Sequence, residues 1–150
     1  MRSGLLVDES GIDRVKGKLR RCPWAERAYR HLRILADGIF IRTRPSPETM
    51  SAIEAAAMVY ALTGERGYAE RSEALLLASD GFAEIFGAVR SDTYDFGCNT
   101  LLTGHQLPHL CVAVDLLWDA LSDRARTHAP EGLIRGAVHH LRTNDRRDSN

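Results

Sequence analysis

The chain has 150 residues, 44% hydrophobic and 27% charged, enough for one domain with a packed core and too apolar for disorder. Twenty Lys and Arg balance twenty Asp and Glu, so no net field draws it to nucleic acid or to an anionic membrane. Cys22, Cys98 and Cys111 are odd in number and lack Cys-x-x-Cys spacing, which implies neither a disulfide framework nor a zinc knuckle. The start MRSGLLVDESGIDR has no long apolar core of a signal peptide, and no apolar run approaches the roughly 20 residues that span a bilayer. A cytosolic or incomplete chain is expected.

Asp8, Glu9 and Ser10 ahead of Ile12, Val15 and Leu19 predict a first short helix with a narrow apolar stripe. Pro23 sits where a first-turn proline is tolerated, and Trp24, Ala28, His31, Leu32, Leu35, Ala36 and Ile39 follow on one broad face of a second helix running to about Phe40. The prolines of RTRPSPE break it. Ser46-Pro47-Glu48 opens a third helix, whose run SAIEAAAMVYAL has high propensity and little bulk, so that neighbours can approach closely. Gly64 ends it. Tyr68, Ser72, Leu75, Leu76, Ser79, Phe82, Ala83 and Phe86 mark a fourth helix that forms a hairpin with the third.

From Gly87 to Gly104 no helical period persists, and a long irregular segment is expected. A fifth helix from about His105 to Leu121 is apolar almost all round and should be buried on most faces. Ser122-Asp123 caps a sixth, with Ala125, Leu133, Ala137 and Leu141 recurring and Pro130 marking a kink or break. No strand-like alternation survives over a useful length. The fold class is all-α, built from antiparallel helical hairpins. A domain spans residues 1–142, and the polar tail 143–150 contributes nothing to the core.

Three segments carry a family resemblance. CPWAERAYRHLRILAD, MVYALTGERGYAERSEALLLA and LLTGHQLPHLCVAVDLLWDALSDRAR resemble, in this order, successive helices of the α/α-toroid domain of heparinase II/III-like and alginate-lyase-like polysaccharide lyases. The matched segments cover most of residues 8–142. The resemblance implies part of an incomplete (α/α) toroid, an acidic, uronate-containing polysaccharide as partner, and no cofactor. It places the family's catalytic asparagine, histidine and tyrosine later than the matched segments, so the catalytic residues are expected beyond Asn150, and the chain is expected to need a missing C-terminal half and to be inactive by itself. Asn150 cannot be assigned to a catalytic Asn-His or Asn-Trp step. A bacterial, exported parent is implied, although this N-terminus carries no signal for export.

β-Elimination needs a base for the proton α to the uronate carboxylate, a donor that neutralises that carboxylate, and an acid for the departing glycosidic oxygen. Tyr94, Asn99, His105, Gln106 and His109 are the candidate substrate-binding groups, with His105 and His109 one helical turn apart on one face. Each has an ordinary alternative: turn chemistry for Tyr94 and Asn99, and capping, core or solvated roles for the histidines. A metal is not expected, because no third ligand stands at a fixed offset from the His pair. Asp115, inside an apolar run, calls for a structural hydrogen bond. Trp24 and Trp118 fall on apolar stripes and read as core rather than sugar-stacking residues. His139-His140 and the clusters RVKGKLRR and NDRRDSN read as solvated. Two competing readings stay open. One is a glycoside hydrolase on a related toroid, with Asp92, Asp95 and Asp115 as its only inner carboxylates. The other is a non-catalytic helical-hairpin module that binds a protein.

Overall fold

The computed structural model describes residues 8–43, 47–78 and 98–144. These form six α-helices and no strand: α1 (Glu9–Arg21), α2 (Pro23–Asp37), α3 (Pro47–Thr63), α4 (Arg66–Leu77), α5 (Cys98–Leu117) and α6 (Asp123–Asn144), with a 3-10 turn at Gly38–Ile41 extending α2.

The helix ends follow from local chemistry. The Asp8 carboxylate accepts the Gly11 N–H at 2.7 Å and caps α1, satisfying one of the donors a helix leaves open at its start. Lys18, Arg20 and Arg21 fill its last turn, where cations complement the helix dipole. α2 begins directly after, with Pro23 in the first turn. α3 stops at Gly64, whose φ of +77° is the left-handed conformation that glycine adopts without steric cost. Its N–H bonds Tyr60 O at 2.7 Å, and the Thr63 hydroxyl donates to Val59 O at 2.8 Å while accepting the Glu65 N–H at 3.1 Å. The turn is thus satisfied within residues 59–65, and α4 starts at once.

The core is organised on α3, which packs against α2, α4 and α5. Met50, Ala52, Ile53, Ala55, Ala56, Ala57 and Val59 are all buried, so α3 is covered around most of its circumference, as a helix apolar all round must be. α2 contributes Ala36 and, from the 3-10 turn, Ile39; α4 contributes Tyr68, Ala69, Leu75 and Leu76. α5 contributes Leu110, Ala113, Val114, Leu116 and Leu117, and α6 Ala125 and Ala129. α6 is anchored by Glu73 of α4, which accepts the Ser122 N–H at 3.1 Å and the Ser122 hydroxyl at 2.5 Å.

Three details depart from the sequence expectations. α5 begins at Cys98 and runs through Pro108, so residues 98–104 are helical rather than irregular, while Tyr94 and the rest of the expected loop lie outside the described residues. α2 turns only part of the expected face to the core: Leu32, Ala36 and Ile39 meet it, joined by Ala25 and Tyr29, whereas Trp24, Ala28, His31 and Leu35 are exposed. Trp118 is also exposed; Arg126 stacks on its ring and donates to its carbonyl oxygen at 2.9 Å. Pro130 lies inside α6, which continues through it to Asn144. Among the described residues, no helix is long and apolar enough to cross a membrane.

Leu117 is fully buried, and the fully buried Ser72 hydroxyl has no hydrogen-bond partner among the described residues. Leu117→Ala is therefore expected to cost about 2–5 kcal/mol by cavity formation. Ser72→Ala, which removes an unsatisfied buried group, is expected to be neutral or stabilising by up to about 1–2 kcal/mol. Urea unfolding followed by circular dichroism measures both.

Candidate functional site

Glu54 lies in the alanine-rich run of α3, where its neighbours Ile53 and Ala55 are buried. A carboxylate in such a setting needs a partner. It finds one 55 residues later: the Glu54 Oε2 atom stands 2.5 Å from Nδ1 of His109 on α5. The Glu54 side chain is 19% exposed and that of His109 40%, so the carboxylate is largely sequestered while the ring reaches the surface.

The chemistry follows from which ring nitrogen is engaged. A carboxylate at Nδ1 holds a proton on that nitrogen and fixes the ring plane. In the neutral imidazole Nε2 is then an acceptor; in the imidazolium it is a donor. The pair can therefore accept from a sugar hydroxyl or donate to a carboxylate, from an orientation fixed by α3.

Of the five residues singled out in the sequence, His109 is the one whose side chain can be followed. Asn99, His105 and Gln106 lie on the α5 backbone, but their side chains fall outside the described residues, as does Tyr94 altogether. The helical register puts His105 one turn before His109. Asp115 is half-buried and engaged by a neighbour. Asp92 and Asp95 lie outside the described residues. Among the described residues, no group of three or more His, Cys, Asp or Glu stands close enough to hold a metal ion. Glu54 was not singled out in the sequence. Its signal was the one applied to Asp115: an acidic residue inside an apolar helix.

A separate cavity of about 490 Å³ lies between the start of α1, the end of α3 and the turn after α5. Asp8, Glu9, Asp13 and Asp119 face it, with Lys16 and Tyr60. Asp8 is held below the usual carboxylate range by the Gly11 N–H and the Ser10 hydroxyl. Four carboxylates against one ammonium make this cavity repel anions, so a uronate chain is not its ligand.

A third polar cluster ties α2 to α4. Arg33 holds Glu65 through two parallel bonds of 2.6 and 2.7 Å and lies 5.4 Å above the Tyr68 ring. The Tyr68 hydroxyl donates to Asp37, the ring packs on Phe40 at 5.2 Å, and Arg71 donates to the carbonyl oxygens of Ile39 and Arg42. Every member is committed to another, so this cluster is a structural clamp with no group left to bind a ligand.

Comparison with protein-family models, with curated proteins and with solved structures finds no match to this chain. The fold class rests on the structure itself: an all-helical protein organised on a central alanine-rich helix.

Burial, followed by the hydrogen bond to Asp37, pushes the Tyr68 phenol up to about 12 from its ordinary 10. A group whose folded pKa is raised contributes stability that is fully present below its unfolded pKa and is lost as pH rises through the folded value. The clamp should therefore weaken between about pH 10 and pH 12. Spectrophotometric titration should show one late tyrosine in the parent chain that is missing in Tyr68→Phe. The alkaline loss of stability should be smaller in that variant.

Proposed function

We propose that this chain is the N-terminal helical segment of a polysaccharide lyase that cleaves uronate-containing chains by β-elimination, binding such a chain without turning it over by itself. The observation that carries the reading is the Glu54–His109 pair. An imidazole oriented by a sequestered carboxylate and reaching solvent is suited to grip a uronate carboxylate or sugar hydroxyl. It lies on α5, within the third of the segments that resemble the lyase toroid, and an all-helical chain built around α3 is compatible with that architecture.

In the proposed elimination a base takes the proton α to the carboxylate, the bond to the glycosidic oxygen breaks as a carbon–carbon double bond forms, and an acid protonates the departing oxygen. His109 is assigned to substrate binding, with His105 and Gln106 on the preceding turn as its companions. The catalytic groups are not assigned within these residues. A second reading, a non-catalytic helical module that binds a protein, is favoured by the open apolar stripe on α2.

Calorimetric titration of the full chain with alginate, heparan sulfate and hyaluronan oligosaccharides tests the proposal. At least one acidic oligosaccharide should bind more tightly than a neutral glucan of equal length. His109→Ala should weaken binding by about tenfold, the equivalent of one charge-assisted hydrogen bond. The ultraviolet absorbance of unsaturated uronates should not rise. Equal binding of the neutral glucan, or full affinity in His109→Ala, overturns the binding assignment; product formation overturns the claim that the chain does not turn substrate over.

A further inference from the structure

α5 carries His105 and His109 four residues apart, and it runs as one α-helix from Cys98 to Leu117 through Pro108. The register between the two positions therefore holds, with a rise of about 6 Å and a net rotation of about 40°. Two imidazoles one turn apart on a helix are an elementary chelate for a transition-metal ion, because once one nitrogen has bound the ion the second meets it at high local concentration. Spacing alone does not make a site, since solvated histidines fall four residues apart by chance.

The second observation comes from another helix. Glu54 of α3 stands 2.5 Å from Nδ1 of His109, its side chain 19% exposed and its neighbours Ile53 and Ala55 buried. A histidine that ligates a metal through one nitrogen almost always donates the N–H of the other to a carboxylate, a carbonyl or water, which fixes the tautomer and makes the ligating nitrogen more basic. Glu54 is such a partner, supplied from the core side of the ring. Nε2 lies on the opposite edge and is the nitrogen left to bind. The His109 side chain is 40% exposed, so an ion reaches it from solvent. A carboxylate behind the ring also favours positive charge in front of it.

The donor set decides the class of ion. Imidazole nitrogens suit Zn²⁺, Ni²⁺ or Cu²⁺, whereas Ca²⁺ and Mg²⁺ take oxygen ligands. The His pair has no third protein ligand at a fixed offset in the sequence, and what α3 adds is an outer partner and not a third ligand. Two imidazoles leave the remaining coordination positions to water, as an open site does and a closed structural site does not.

We propose that the juxtaposition of His105 and His109 on α5 with Glu54 on α3 is a site for a divalent transition-metal ion of the zinc class, bound by the two imidazoles and steadied from behind by the Glu54 carboxylate at Nδ1 of His109. The site shares His109 with the saccharide reading but does not rest on it.

The test uses the full chain carrying His139→Ala and His140→Ala, which removes the adjacent histidines near the C-terminus, and Zn²⁺ alone in a non-coordinating buffer with no saccharide present. Calorimetric titration should give one Zn²⁺ per chain. His105→Ala and His109→Ala should each weaken binding at least tenfold, and His31→Ala, at an exposed position on α2, should leave it unchanged. Glu54→Gln, which keeps the size and an acceptor oxygen but removes the charge, should weaken binding about tenfold with an unchanged circular dichroism spectrum. Without any of these three substitutions, proton–nitrogen correlation spectra should show Zn²⁺ moving the Nε2 resonances of both His105 and His109 while Nδ1 of His109 keeps its proton. Absence of Zn²⁺ binding, full affinity in His105→Ala or His109→Ala, or Zn²⁺ on Nδ1 of His109 overturns the proposal; full affinity in Glu54→Gln overturns the part given to Glu54. Because no saccharide is present, failure here leaves the saccharide reading standing, and a chain that binds Zn²⁺ but no acidic oligosaccharide leaves the metal site standing in turn.

Discussion

The close approach of neighbouring helices to the alanine-rich α3 is the constraint on which the rest of the structure depends. Ala52, Ala55, Ala56 and Ala57 are buried, and their small side chains let backbones come near without leaving voids, at a density that tolerates little change in volume. Because α3 packs against α2, α4 and α5 together, its position sets theirs. The larger residues that finish the packing, among them Ile39, Met50, Leu76, Leu110 and Leu117, are fully buried around it. Polar ties then fix the remaining freedom: Arg33 to Glu65 between α2 and α4, and Glu73 to Ser122 between α4 and the start of α6.

The Glu54–His109 pair is a product of the same arrangement. A carboxylate on a helix otherwise covered by apolar neighbours is costly by itself. The cost is offset because α5 runs beside α3 closely enough to bring Nδ1 of His109 to 2.5 Å. The site and the core are therefore one piece of packing, with the sequestered end of the pair on α3 and the accessible end on α5. The two other polar concentrations serve different ends. The Arg33–Glu65–Tyr68–Asp37 clamp satisfies itself, and the acidic cavity beside α1 has the wrong sign for a polyanion.

Helix boundaries were legible wherever local chemistry decides them. Asp8, Pro23, Pro47 and Gly64 each mark an end that the structure reproduces. The start of α5 was not legible, because Asn99, Thr100, Thr103 and Gly104 are weak helix formers and Pro108 interrupts the hydrogen-bond ladder inside the helix. The face of α2 was legible only in part, for a different reason. Its apolar residues span an arc wider than α3 covers, and periodicity cannot say which part of a wide arc is taken. His109 was visible as a candidate from its type and spacing. Its partner was not, since the pairing joins residues 55 apart and is a consequence of tertiary packing alone. Asn99, His105 and Gln106 share α5 with His109 by register, which is as far as the described residues carry the expectation.

The central claim is that Glu54 fixes the His109 ring so that Nε2 is the outward, working nitrogen. Long-range proton–nitrogen correlation spectra of the histidine rings, with His109→Gln to assign the resonance, measure this directly. The account predicts that the neutral His109 ring carries its proton on Nδ1 in the parent chain and loses that preference in Glu54→Gln. A neutral ring protonated on Nε2 in the parent chain, unchanged by Glu54→Gln, would contradict it.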